Sequence, residues 1–300
     1  MPVKAGWRRP SGRRSRGRPA RSGVSKSLAF VKALERATRS GQWLRRNRAA
    51  VSLLRKITEI RPKRVVVVLG AGVSTAAGRS DFYGMAKLLR PGEDLEYIWS
   101  ASGFSADPSR WYELAGQAGL FDPVMPTQVH RLLGVLDDLT ILHKVITQNI
   151  DGLEQGLPVK RLIRFHGGLT TAHCPRCDRK YDGAVMRPPS GWKHGVYVPR
   201  CECKLPAVPI RPDVVLYGED PNWANRESAE KALEECDLLL ILGASMRTKP
   251  AGDLWRSVGQ DIPIIAVDVA FRRFGGARVK HMKMDVEVAA DLLVRALDRK

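Results

Sequence analysis

The sequence predicts an α/β fold built on a parallel sheet, with a small metal-binding module set into it. Three observations carry that prediction. Short apolar runs recur at 65–69, 142–146, 238–242 and 262–267, with helical patterns between them. The first run passes directly into Gly70-Ala71-Gly72. Four of the five cysteines, Cys174, Cys177, Cys201 and Cys203, fall within 30 residues.

The 300-residue chain is long enough for one or two domains and a sizeable core. No apolar run reaches the ~20 residues that a membrane-spanning helix needs, so no membrane association is expected. The formal net charge of +19 is unevenly placed. Residues 1–62 hold 18 of the 50 Lys and Arg but 2 of the 31 Asp and Glu, leaving 32 basic against 29 acidic residues in the remainder. The basic character therefore belongs to an N-terminal extension, and the body is near neutral.

Residues 1–45 read as that extension and 46–300 as the folded core. The first 23 residues are rich in Arg, Gly, Pro and Ser and contain no acid, which predicts disorder. Arg16-Gly17-Arg18-Pro19 is similar to the core of an AT-hook, an extended peptide that lies in the minor groove of A·T-rich DNA. Three readings stand side by side: a nuclear-localisation or DNA-contacting arm, a mitochondrial transit peptide, and a solvated tail. The nucleus is preferred to the mitochondrion. Leu28, Val31 and Leu34 fit a first helical face, interrupted at Ser40-Gly41. Val51, Leu54, Ile57 and Ile60 fit a second helix over 46–60, which Pro62 closes.

Val65 to Leu69 is a continuous β-branched run, suited to a strand buried on both faces of a parallel sheet. A Gly-rich turn from such a strand into a helix lets backbone approach a pyrophosphate, which the helix N-terminus stabilises. The alternative is a tight strand–helix turn with no ligand. The spacing is not G-x-G-x-x-G, so a generic dehydrogenase motif is not supported. Gly243-Ala244-Ser245 closes another apolar run, where open α/β sheets bind ligands.

Gln148, Asn149 and Asp151 follow the run at 142–146, and Gly152 comes next. Amide and carboxylate groups at a strand end can grip a sugar and order a water, or they can build an Asx-type turn. His166, between Phe165 and Gly167, is a candidate base because an imidazole titrates near physiological pH. Val214 and Val215 read on their own as another strand. The Cys174-x-x-Cys177 spacing lets both thiolates reach one tetrahedral ion. Cys201-Glu202-Cys203 makes a tighter second pair, and His173 stands nearby as an awkward substitute ligand. Four thiolates leave no open position, so the zinc is expected to be structural. Reduced surface thiols are the alternative. Cys236, within an apolar run, reads as a core thiol.

In order and spacing, Gly70-Ala71-Gly72-Val73-Ser74, Thr147-Gln148-Asn149-Ile150-Asp151-Gly152, Phe165-His166-Gly167, the cysteine pairs, Arg211-Pro212-Asp213-Val214-Val215 and Gly243-Ala244-Ser245 resemble the sirtuin family of NAD-dependent protein-lysine deacylases. The resemblance spans residues 63–297. It implies a Rossmann-like parallel sheet domain, a zinc-binding module over 167–208 and a helical insertion over 82–126, with the active cleft between them. It implies NAD and one structural zinc ion as cofactors, and an acyl-lysine protein, histones among the candidates, as substrate.

The same resemblance assigns His166 as general base, removing a proton from a ribose hydroxyl after nicotinamide has left. It places Asn149 and Asp151 at the nicotinamide ribose, with Gln148 beside them. It gives Gly70, Ala71, Gly72, Ser74 and Arg79 to the cofactor, with Gly243, Ala244 and Ser245 at its ribose and phosphate. Val214 and Val215 would pair with the substrate backbone by strand addition. Asp268 stands where the family usually carries an Asn near the adenosine ribose, and it can equally cap a strand-end turn.

One segment departs from the family. Sirtuins continue through Gly-Ile-Pro-Asp-Phe-Arg-Ser, whereas this chain reads Ala77-Gly78-Arg79-Ser80-Asp81-Phe82-Tyr83. Either Asp81-Phe82 are the family's Asp-Phe, or four residues are deleted and Arg79-Ser80 are its Arg-Ser, with Phe82 and Tyr83 in the following helix. A loop that closes poorly exposes the activated ribose, so NAD affinity or turnover is expected to be weakened. A catalytically weak NAD- and acyl-lysine-binding protein recruited to chromatin, and a mono-ADP-ribosyltransferase, are the alternative functions.

Overall fold

The computed structural model describes residues 59–270 and 274–297, together with Ser52 and Ile57. The basic extension, its AT-hook-like segment and the first expected helix lie outside them. Of the second expected helix, Ser52, Ile57, Glu59 and Ile60 are helical, and Ile57 is buried. Arg61 turns into the left-handed region (φ 48°) just before Pro62.

A six-stranded sheet forms the body. Its strands are β1 (Val65–Leu69), β2 (Leu142–Thr147), β3 (Leu162–Arg164), β9 (Leu238–Leu242), β10 (Ile264–Asp268) and β11 (Val279–Lys283). All neighbours run parallel, in the order β11-β10-β9-β1-β2-β3. Counted within this sheet, the order is third, second, first, fourth, fifth, sixth in mirrored sense, that of a doubly wound dinucleotide-binding sheet. The strand order reverses beside β1, so a crevice opens at the carboxyl ends of β1 and β9.

Alternation along β1 divides the core. Val65, Val67 and Leu69 pack with Leu132 and Leu136 of one helix, Gln128–Asp138, and with Ala290 and Leu293 of another, Val286–Leu297. Val66 and Val68 point to the opposite face, against Ala229 and Leu233 of the helix Trp223–Glu235. With both faces covered, every residue of β1 is buried, as its β-branched run requires.

The rest of the chain forms a second unit with its own core. Four short helices occupy the insertion, Phe82–Ala86, Leu95–Ile98, Ala101–Ala106 and Pro108–Gln117. An antiparallel sheet joins β4 (Gly167–His173) to β5 (Lys180–Asp182) on one side and β8 (Arg211–Val214) on the other. A short ribbon pairs β6 (Arg200–Cys201) with β7 (Val208–Pro209) and carries the second cysteine pair. Trp111, Tyr112 and Leu114 from the insertion pack with Leu169, Cys174, Cys201 and Ile210 from the cysteine-bearing segment. Insertion and metal module thus share one hydrophobic core. Inside the insertion, Arg110 is 7% exposed and carries a two-point bond to Glu93 (2.7 and 2.6 Å) and a bond to Glu113 at 3.0 Å. That network pins the 88–93 turn onto the helix.

Candidate active site

Two glycine turns meet at the crevice. The Gly70 N–H donates to the Leu242 carbonyl (3.1 Å) and the Gly72 N–H to that of Gly243 (3.0 Å). A Cβ on Gly70 would stand 2.5 Å from the Ala244 Cα, and one on Gly72 would stand 2.9 Å from the Gly243 Cα. The glycines are therefore demanded first by the approach of two backbones, and only through that by a ligand. Gly70 has an extended backbone open to any residue (φ −122°, ψ 178°), so its requirement is purely steric. Gly70→Ala is expected to cost about 1–3 kcal/mol of stability by overpacking, read as a lowered urea midpoint.

The chain does not enter an α-helix after this turn, contrary to the sequence expectation. It makes two short 3-10 turns, Ala71–Val73 and Thr75–Ala77, which Gly78 ends in the left-handed region (φ 82°). The local reason is that glycine, serine and threonine compete with helix propagation. The Thr75 hydroxyl, for example, donates back to the Gly72 carbonyl at 3.0 Å.

Beyond β2, the loop 147–152 is held from four directions. The Gln148 N–H donates to the Leu69 carbonyl and the Phe165 N–H to that of Thr147. The Leu169 N–H donates to the Ile150 carbonyl, and Gly152 turns left-handed (φ 74°). Asn149 is 8% exposed, and its side-chain amide donates to the Gly70 carbonyl (3.1 Å) and the Ser74 hydroxyl (3.2 Å). One side chain thereby ties the loop after β2 to the turn after β1. Asp151 makes the contact of an Asx-type turn, accepting from the Leu153 N–H at 3.2 Å. Gln148 reaches the Met246 sulfur at 3.5 Å.

His166 sits behind this loop, partly buried, its ring edge-on to the fully buried Phe165. Its Nδ1 lies 3.0 Å from the Gln148 carbonyl oxygen. A carbonyl can only accept, so Nδ1 carries the proton and Nε2 keeps its lone pair. Burial holds this imidazole below its ordinary value, and the bond to Gln148 opposes that only in part. The ring is thus a neutral acceptor at physiological pH. The Val215 N–H donates to the His166 carbonyl at 2.9 Å, and Val214 pairs with Gly167. The two valines therefore flank the strand that starts at the histidine.

Arg79 is 6% exposed. One nitrogen donates to the Asp122 carbonyl at 2.6 Å, while its Nε and Nη1 have no partner among the described residues. Burial lowers its pKa, against the nearby charges of Asp151 and Asp122. Unpaired guanidinium donors beside a glycine-turn crevice suit an anionic ligand such as a dinucleotide. At the other end of the crevice, Ala244, Ser245 and Asp268 line a pocket with Phe274 and His281. Asp268 also caps its own turn, accepting from the Ala270 N–H at 2.9 Å. Phe274 and His281 carried no readable signal in the sequence. Glu154 carried none beyond following Leu153, yet its Oε1 accepts from the Thr147 hydroxyl at 2.6 Å.

The four cysteines converge, with all Sγ atoms within 4.8 Å of one another. Cys174 and Cys203 are 3.7 Å apart, and Cys177 and Cys201 are 3.8 Å apart. A tetrahedron with Zn–S bonds of about 2.3 Å has an edge of about 3.8 Å. A disulfide would need about 2.05 Å. The tight Cys201-x-Cys203 pair thus fits one structural zinc ion as well as the wider pair does. His173 is not a ligand here, since its Nδ1 faces the Asp213 carboxylate at 2.6 Å.

A model of the Sir2 family matches residues 70–250. The chain belongs to the Sir2 family. An NAD-dependent protein deacetylase of Bacillus cereus (strain ATCC 10987) is 36% identical over 193 residues, covering 63% of this chain and 74% of that one. The NAD-dependent deacetylase sir2A of Dictyostelium discoideum is 29% identical over 265 residues, and the match spans 49% of its length. Among solved structures, a Sir2 protein with a p53 peptide and NAD+ superposes with a TM-score of 0.67 at 26% identity, covering 80% of this chain and 97% of that one.

Within this Sir2-family chain, the divergent segment forms a capped helix. Asp81 caps the helix Phe82–Ala86 by accepting from the Gly84 N–H. Phe82 and Tyr83 lie in its first turn and are 39% and 45% exposed. That helical placement is the one expected if Arg79-Ser80 align with the family's Arg-Ser.

Proposed function

We infer that this Sir2-family chain is an NAD-dependent protein-lysine deacylase. The observation that carries the reading is the joint held by Asn149, which locks the loop of His166's partner Gln148 to the glycine turn. NAD supplies the electrophilic ribose carbon, the nicotinamide leaving group and the ADP-ribose that accepts the acyl group. Arg79 and the turns at Gly70–Gly72 and Gly243–Ser245 would hold it, and Asn149 and Asp151 would orient its ribose. The lone pair of His166 Nε2 would take the ribose hydroxyl proton. The extended backbone at Val214 and Val215 would receive the acyl-lysine peptide by strand addition. Relatives solved with p53 peptides support a peptide substrate. The basic extension supports histone tails as the first peptides to try, with a DNA contact and a nuclear setting.

The test is to incubate the protein with NAD and an acetyl-lysine histone peptide, following nicotinamide and O-acetyl-ADP-ribose by mass spectrometry. Product that disappears in His166→Ala supports the deacylase. An absence of product with acetyl and longer acyl chains would remove it.

The exposed rings of Phe82 and Tyr83 favour a second feature, leaky turnover. Both residues stay more than a third exposed, their rings edge-on to each other, so water competes for the activated ribose. We expect more nicotinamide than deacylated peptide from the same incubation. Equal amounts would show that the cleft closes fully.

A further inference from the structure

The Glu154 carboxyl group is 1% exposed and lies in the 3-10 turn Leu153–Gly156, just behind the loop that bears Asn149 and Asp151. Its Oε1 accepts from the Thr147 hydroxyl at 2.6 Å, and its Oε2 has no partner among the described residues. Thr147 is fully buried, and the same hydroxyl accepts from the Asn149 N–H at 3.1 Å. Asn149 in turn spans to Gly70 and Ser74. A continuous chain therefore runs from Glu154 through Thr147 to Asn149 and the glycine turn.

A hydroxyl has one proton. A buried carboxylate with no donor of its own obliges Thr147 to point that proton at Glu154, which leaves a Thr147 lone pair aimed at the Asn149 N–H. The bond is charge-assisted, and so stronger than its neutral counterpart. A structural filler at this position would be apolar, because a buried carboxyl with one unpaired oxygen is costly.

We propose that Glu154 is a positioning residue for the site, orienting Asn149 through the Thr147 hydroxyl, and that a proton gained by Glu154 loosens this chain and slows turnover. The proposal rests on the deacylase reading for its kinetic consequence but not for its structural one. The groups facing Glu154 are Thr147 on β2, Asp151 on its own loop and Arg164 on β3; Arg79 and His130 lie beyond, next to Asp151. Burial, and after it the Asp151 charge, push the Glu154 carboxyl up to about 7, against the Thr147 bond and Arg164. Its proton is therefore exchanged near neutrality rather than in acid.

The experiment pairs kinetics with a readout that needs no turnover. In the full chain, the Asn149 backbone amide is followed by NMR from about pH 5.5 to about 8.5, a range that brackets the shifted carboxyl. We expect its resonance to move with a midpoint near neutrality, a step absent in Glu154→Gln, which keeps a neutral acceptor; the step from His166, bonded to the Gln148 carbonyl of the same peptide group and titrating lower, should remain in both. Glu154→Ala and Thr147→Val should each lower kcat by about tenfold or more, the effect of one charge-assisted hydrogen bond. Their combination should be no worse than either alone. Glu154→Gln should fall between them and the wild type, and Thr147→Ser should restore most of the rate.

An Asn149 amide that does not titrate, or titrates identically in Glu154→Gln, overturns the proposal whether or not the chain is active. Additive losses in the double variant overturn it as well. A wild-type chain without turnover would sink the deacylase reading while the amide titration still decides the role of Glu154. If Glu154→Ala does not fold, Glu154→Gln and the amide measurement decide alone.

Discussion

His166→Ala is expected to lower turnover by about 10²–10⁴-fold, the usual contribution of a positioned base. The melting temperature should change little, because the ring is only partly buried and its hydrogen bond is to the Gln148 carbonyl. NAD affinity should fall far less than kcat, since proton removal is a property of the reacting state. The pH dependence has a definite sign. The base must be neutral, and burial lowers the pH at which this ring gains its proton. Beyond the partial slowing that Glu154 imposes near neutrality, turnover should therefore persist below the ordinary histidine range and collapse as pH falls through that lowered value. The alanine variant should lose this acid limb along with the rate. A variant that retained most of the activity would remove His166 from the chemistry.

Loss of the metal should have the largest effect on stability. Chelation, or Cys174→Ser, is expected to release about one zinc ion per chain from the four thiolates. The consequence should reach beyond the module. Cys174 and Cys201 are buried in the same core as Trp111, Tyr112 and Phe104 of the insertion. Once the thiolates separate, that core opens on both sides, at a cost of several kcal/mol and a melting temperature lower by on the order of 10 °C. Tryptophan fluorescence should report it, because Trp111 is fully buried and packs 4.9 Å from Trp99. Metal analysis and a thermal melt with and without chelator check the prediction together. A zinc-free chain with an unchanged melt would leave the thiols without a structural role.

Much of the site is legible in the sequence. The β-branched run at 65–69 suits only a strand covered on both faces, and every residue of it is buried. The cysteine spacing announces a tetrahedral centre, and the sulfur separations agree with it. The order of the short motifs is enough to indicate the family. Other features are illegible for physical reasons. A glycine turn at Gly70 and Gly72 suggests room for a ligand, but the missing side chains make room first for residues 243 and 244. The expected helix after them is two 3-10 turns, because the local residues favour hydrogen bonds of their own over propagation. Pattern alone leaves the segment 79–83 ambiguous, since Asp81 serves equally as a motif residue and as a helix cap. Its side chain acts as the cap.

By itself, the sequence determined the sheet, the metal module, the family and the residue types available for chemistry. These follow from short-range periodicity and spacing, which depend on a few neighbouring positions. The tertiary structure alone decided how those residues work together. Asn149 bonds to partners 79 and 75 positions away. The tautomer of His166 is set by a carbonyl 18 residues distant, and Arg79, with donors unpaired among the described residues, is kept from water by the folded chain. The Asn149 and His166 bonds depend on the register of parallel strands joined by long crossovers. A hydrogen bond between such strand ends exists only once the sheet has brought them together.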